Sequence, residues 1–125
     1  MKAAVFHEAG KPLSIEVVAD PTPGDTDLIL KVRDCGICGS DLHASKPGSV
    51  LAPPGGTVMG HEFSGEVVAM GKDAAGLWKS GDRVCSLPVM GCGKCLMCLK
   101  GQGWYCEKGG RILGLGQEGG AYAEF

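Results

Sequence analysis

Four cysteines crowd one short stretch, GCGKCLMCLKGQGWYC, from Gly91 to Cys106. Cys92, Cys95 and Cys98 stand two residues apart, and Cys106 follows after seven more. Thiolate sulfur is a strong zinc ligand, and four thiolates around a tetrahedral ion at about 2.3 Å complete its shell and leave no position for substrate. Such a site clamps a loop and performs no chemistry. Two C-x-x-C steps that share Cys95 let three ligands come from one tight loop, with Gly91 and Gly93 giving the backbone freedom to wrap an ion. Disulfide pairing is the competing use, but seven cysteines leave one over, and a reducing compartment would disfavour it. Thioredoxin-like redox chemistry needs a βαβ setting, which surrounds no C-x-x-C here.

The remaining chemistry-capable residues lie in CGICGSDLH (Cys35 to His43) and GHEFSGEV (Gly60 to Val67). Cys38 and His61 would offer one sulfur and one nitrogen, and Glu62 an optional oxygen. A metal held so would be under-coordinated and open to water or substrate, as a Lewis-acid catalyst requires. Each residue also has a plain alternative: a cysteine is often a small buried hydrophobe, and a lone histidine is commonly a hydrogen-bonded core or surface group. The residues alone leave both readings open.

The elements that would position these groups are mainly strands. Period-two or continuous apolar runs predict strands at Ala3 to Phe6, Leu13 to Val18, Leu28 to Arg33, Gly65 to Met70, Arg83 to Leu87 and Ala121 to Phe125. Turn chemistry separates them in PTPGDTD, APPGG and KSGD. Helical turns are expected only around Ser40 to Ser45 and Leu96 to Lys100. Residues 1–125 therefore predict one domain, an irregular, mostly antiparallel β-barrel with a few short helices and a metal-clamped loop. With 44% hydrophobic and 21% charged residues the composition is that of a soluble globular protein. A formal charge of −2 without a basic stripe gives nucleic acid or an anionic membrane no electrostatic hold. No apolar run approaches the roughly 20 residues of a membrane span, no signal peptide is apparent, and a cytoplasmic location is expected.

In this order, G-I-C-G-S-D-L-H, G-H-E-F-S-G-E-V, G-D-R-V and C-x2-C-x2-C-x7-C resemble the N-terminal, GroES-like catalytic domain of zinc-dependent medium-chain alcohol dehydrogenases. The resemblance covers essentially the whole chain and is nearest the sorbitol, threonine and butanediol dehydrogenase branches. It implies that Cys92, Cys95, Cys98 and Cys106 bind structural zinc and that Cys38 and His61 are catalytic-zinc ligands, with Glu62 beside the metal. Ser40 matches the hydroxyl that takes the alcohol proton, His43 the group that passes it outward, and Asp41 an acid behind the ligands that orients them. Cys35 and Cys85 are expected as packed thiols, and His7 as a surface residue. The implied reaction oxidises a small-molecule alcohol or polyol to a ketone or aldehyde, with zinc polarising the alcohol and NAD(P) accepting hydride.

One literal G-x-G-x-x-G occurs, at Gly114, Gly116 and Gly119. It leads toward a strand-like run rather than a helix, with no acidic residue about 20 positions on, so it is not expected to bind a dinucleotide. By the resemblance those glycines belong to the barrel. The 125 residues are accordingly expected to lack the cofactor domain and one catalytic-zinc ligand. Alone, they are expected to be inactive toward alcohols and monomeric, with the catalytic zinc site at most partly filled. The alternative is a non-enzymatic, zinc-stabilised β-barrel acting as an interaction module. Ser40 and His43 discriminate, because a structural barrel has no use for a proton relay beside an open metal.

Overall fold

The computed structural model describes residues 1–116 and 119–125. Of the glycine-rich G-x-G-x-x-G stretch, Gln117 and Glu118 lie outside the described residues. In chain order the elements are β1 (Lys2–Phe6), β2 (Ser14–Val17), β3 (Leu28–Gly36), α1 (Gly39–Ala44), β4 (Thr57–Val58), β5 (Glu62–Met70), β6 (Arg83–Cys85), β7 (Val89–Met90), α2 (Leu96–Leu99), a 3-10 turn (Gly103–Tyr105) and β8 (Arg111–Ile112). The chain is mainly β, as its alternating runs require. Among the described residues no helix is long and apolar enough to cross a membrane.

The strands form three antiparallel ladders, in the orders β2-β1-β4, β3-β5-β6 and β7-β8. Residues 120–125 stitch the first two together. Tyr122 N–H donates to the Met59 carbonyl (2.8 Å), Ala4 N–H to Tyr122 O (2.7 Å), Glu124 N–H to Lys2 O (3.2 Å) and Val32 N–H to Glu124 O (3.0 Å). This segment was expected as a strand. It makes only an isolated bridge, Ala3 to Ala123, because its backbone groups are shared among several neighbours rather than given to one ladder. Individual backbone bonds, not one continuous sheet, thus join the first two ladders.

The long β3–β5 pair sets up the site. Its register places Cys35 opposite Phe63 and Gly36 opposite Glu62, with irregularities between Ile29 and Leu30 and between Val32 and Asp34. Such bulges bend a strand and re-aim its side chains. The end of β3 and the start of β5 therefore lie side by side, and Cys38 and His61 emerge from the same end of the ladder. Beneath them sits a core cluster of Phe6, Ala44 and Met59, flanked by Leu13, Leu115 and Tyr122. Met59 and Ala44 are fully buried.

β6 ends at Cys85 rather than at Leu87. Within it Val84 takes the inner side, so Cys85 faces out, which corrects the expectation of a packed thiol. Cys35 is half-buried, and burial pushes its thiol pKa up. His7 is exposed and pairs with Glu16 at 2.5 Å.

Candidate metal centres

The four cysteines of the loop converge. Cys92, Cys95, Cys98 and Cys106 each bring a sulfur to within 4.8 Å of the other three. Four sulfurs around one zinc at about 2.3 Å would stand about 3.8 Å apart, and Cys95 and Cys106 are at 4.0 Å. The donor set fits a tetrahedral ion. Local structure explains the convergence: Cys95 is the residue before α2, Cys98 lies in α2, and Cys106 closes the 3-10 turn. Gly91 is required here, since a Cβ would come within 2.5 Å of Cys98 Sγ.

The thiols are also electrostatically prepared. Backbone N–H groups of Lys94 and Cys95 lower the Cys92 pKa to about 6, and those of Cys98 and Glu107 lower that of Cys95. Cys98 moves the other way, to about 11, through burial and then the adjoining Cys95 sulfur. Sulfurs packed this closely cannot all ionise without a cation among them.

The second group is Cys38, His61 and Glu62, whose ligand atoms also lie within 4.8 Å of one another. His61 is buried and Cys38 half-buried, whereas Glu62 is exposed. Three ligands of mixed type leave coordination open, in contrast to the closed sulfur set. Both predicted ligand groups are therefore assembled by the fold.

Asp41 lies behind these residues, buried. Its Oδ2 accepts the Cys38 backbone N–H at 2.9 Å, half of a capping box that starts α1. The same oxygen accepts the Tyr122 phenol at 2.9 Å. Its other oxygen, Oδ1, faces His61 Nδ1 at 3.4 Å, and among the described residues neither of these buried atoms has a hydrogen-bond partner. A proton on Nδ1 directed at Asp41 leaves the lone pair on Nε2, the nitrogen a metal would use. Ser40 Oγ lies 3.0 Å from that Nε2.

His43 sits one turn beyond Ser40 on α1, exposed. Residues three apart share a helix face, but among the described residues no hydrogen bond joins His43 to Ser40. Tyr122 was not anticipated. It lies 81 residues from Asp41, and nothing in its own neighbourhood announces a polar contact. Burial, followed by the bond to Asp41, pushes its phenol pKa well above the usual range, so it remains a donor. Beside Glu62 lies an open cavity of about 390 Å³, lined also by Asp34, Ser64, Cys85 and Pro88.

The rejected glycine motif is part of the scaffold at Gly114. A Cβ there would come within 2.7 Å of the Gly60 backbone nitrogen. Among the described residues no helix follows Gly114.

Comparison with known proteins places this geometry. Residues 24–125 match the family model of the alcohol dehydrogenase GroES-like domain. An L-threonine 3-dehydrogenase of Streptomyces coelicolor is 42% identical across 100% of this chain and 36% of its own length. A sorbitol dehydrogenase of Halalkalibacterium halodurans is 37% identical, again across 100% of this chain and 36% of its own. The solved alcohol dehydrogenase TADH from Thermus sp. ATN1 superposes with a TM-score of 0.85 at 34% identity, covering 99% of this chain and 36% of that one. The chain thus spans about a third of the length of these relatives.

Proposed function

Because the chain belongs to the alcohol dehydrogenase GroES-like domain family, we propose that it is the zinc-binding catalytic domain of an NAD(P)-dependent alcohol or polyol dehydrogenase. The observation that carries this reading is the open Cys38–His61–Glu62 set with the Ser40 hydroxyl on His61 Nε2. Cys92, Cys95, Cys98 and Cys106 would hold a structural zinc, and Cys38 and His61, with Glu62 beside them, a catalytic one. A zinc bound at the second set supplies Lewis-acid polarisation of a substrate oxygen.

The chain's own groups are arranged for the proton. Asp41 orients His61 through Nδ1, so the Nε2 lone pair points into the site. With the proton on Nδ1, the Ser40 hydroxyl, 3.0 Å from Nε2, donates a hydrogen bond to that same lone pair. With that lone pair held by a metal, the hydroxyl would be free to accept a hydrogen bond from a substrate alcohol, and to take up its proton while releasing its own outward. His43, exposed one turn further along α1, would then carry the proton to solvent. NAD(P) is the proposed hydride acceptor. Small-molecule alcohols are the substrates this reading requires.

The test is alcohol oxidation with NAD(P) by the enzyme that contains this domain. Replacing Ser40 with alanine should leave zinc content intact and lower kcat about 100-fold or more, the usual scale for losing a proton-transfer group. Unchanged turnover would overturn the proton role.

A further inference from the structure

Three segments distant in sequence meet at the side chain of Tyr122. Its phenol donates to Asp41 Oδ2 at 2.9 Å, with the Gly36 carbonyl at 3.2 Å as a second acceptor. Its backbone N–H donates to Met59 O at 2.8 Å. Its ring lies so near Gly60 that a Cβ there would come within 2.7 Å of Cδ1. Gly36 precedes Cys38 by two residues, and Met59 and Gly60 lead directly into His61. Tyr122 therefore touches both ligand-bearing segments and the carboxylate between them.

Taking the metal-site reading as premise, we infer that Tyr122 is a positioning residue for the Cys38–His61–Glu62 centre, holding Asp41 so that Oδ1 is turned to His61 Nδ1. The geometry allows little else. Oδ2 is taken by the phenol and by the Cys38 N–H. Oδ1 is buried 3.4 Å from His61 Nδ1, and neither atom has a hydrogen-bond partner among the described residues. Without the phenol, only the Cys38 N–H fixes the carboxylate, which is then free to turn about its terminal torsion. The tautomer and ring direction of His61 would lose their support. Outer partners of this kind are worth about 10- to 100-fold in metal affinity.

Cobalt(II) titration of the chain, followed in the visible range, reads the two centres separately because their ligand sets differ. Tyr122→Phe keeps the ring and removes only the hydroxyl. It should weaken cobalt at the Cys38–His61–Glu62 centre about 10-fold or more and alter that centre's spectrum. The four-cysteine centre should keep its affinity, which also reports that the variant is folded. If Tyr122 acts through Asp41, adding Tyr122→Phe to Asp41→Asn should cost no further affinity. An unchanged spectrum and affinity in Tyr122→Phe, or additive losses in the double variant, would overturn the inference. Cobalt bound by the native chain at the four-cysteine centre alone would instead refute the metal-site reading, and this inference with it.

Discussion

Replacing Gly60 with alanine tests how tightly the fold is built around the candidate centre. Gly60 has φ of +96°, and an added Cβ would lie 2.7 Å from Tyr122 Cδ1, 2.9 Å from Cys35 Sγ and 2.9 Å from the Tyr122 backbone nitrogen. The left-handed backbone costs a side-chain-bearing residue about 1–2 kcal/mol. Overpacking adds about 1–3 kcal/mol, since the backbone contact cannot be relieved by a rotamer change. The expected loss is therefore about 2–5 kcal/mol, a large part of a domain's stability. Gly48 is the internal control, with φ of +76° and nothing within 4 Å of the added carbon. Alanine there should cost only the backbone part, about 1–2 kcal/mol. Urea unfolding of the two variants at one fixed zinc concentration measures both. Equal losses would refute the claim that Tyr122 and Cys35 are packed against the residue preceding His61.

Further outcomes are expected elsewhere. Met59→Ala removes a fully buried side chain beneath the site, and should lower unfolding free energy by about 2–5 kcal/mol in the same assay. Cys95→Ser should loosen the Gly91 to Cys106 loop and lower the melting temperature more than His61→Ala does, because a structural metal contributes directly to folding; equal shifts would contradict the division between clamp and open site. Zinc uptake by the four cysteines at pH 7 should release fewer than four protons in calorimetry across buffers, because Cys92, at about 6, is already largely thiolate there while Cys98, at about 11, is not. As pH falls through about 6, Cys92 gains a proton that zinc must displace, so affinity should fall more steeply below that pH than above it.

Much of the site was legible because it is written locally. The spacing of Cys92, Cys95, Cys98 and Cys106 needs only a short loop to bring the sulfurs together, and the structure does so. The long strands announced themselves by their apolar runs, and α1 by its position after Cys38. What escaped local reading was set by pairing across the chain. The meeting of Cys38 and His61, set by the β3–β5 register, was reached from the family resemblance and not from any local window. Tyr122 reaches Asp41 only because residues 120–125 cross between two ladders. Strands β4, β7 and β8 have two residues each, too few for a period to appear. Cys85 looked like a packed thiol because it falls in a strand-like run, yet Val84 takes the inward side of so short a strand.

The most direct test of the central claim is zinc per chain, by elemental analysis of the native protein and of His61→Ala. Two metal centres, the second with only three ligands here, predict more than one and up to about two zincs in the native chain and about one in the variant, the four-cysteine clamp keeping its ion. About one zinc in both would contradict the assignment of Cys38, His61 and Glu62 as a metal centre formed within these residues.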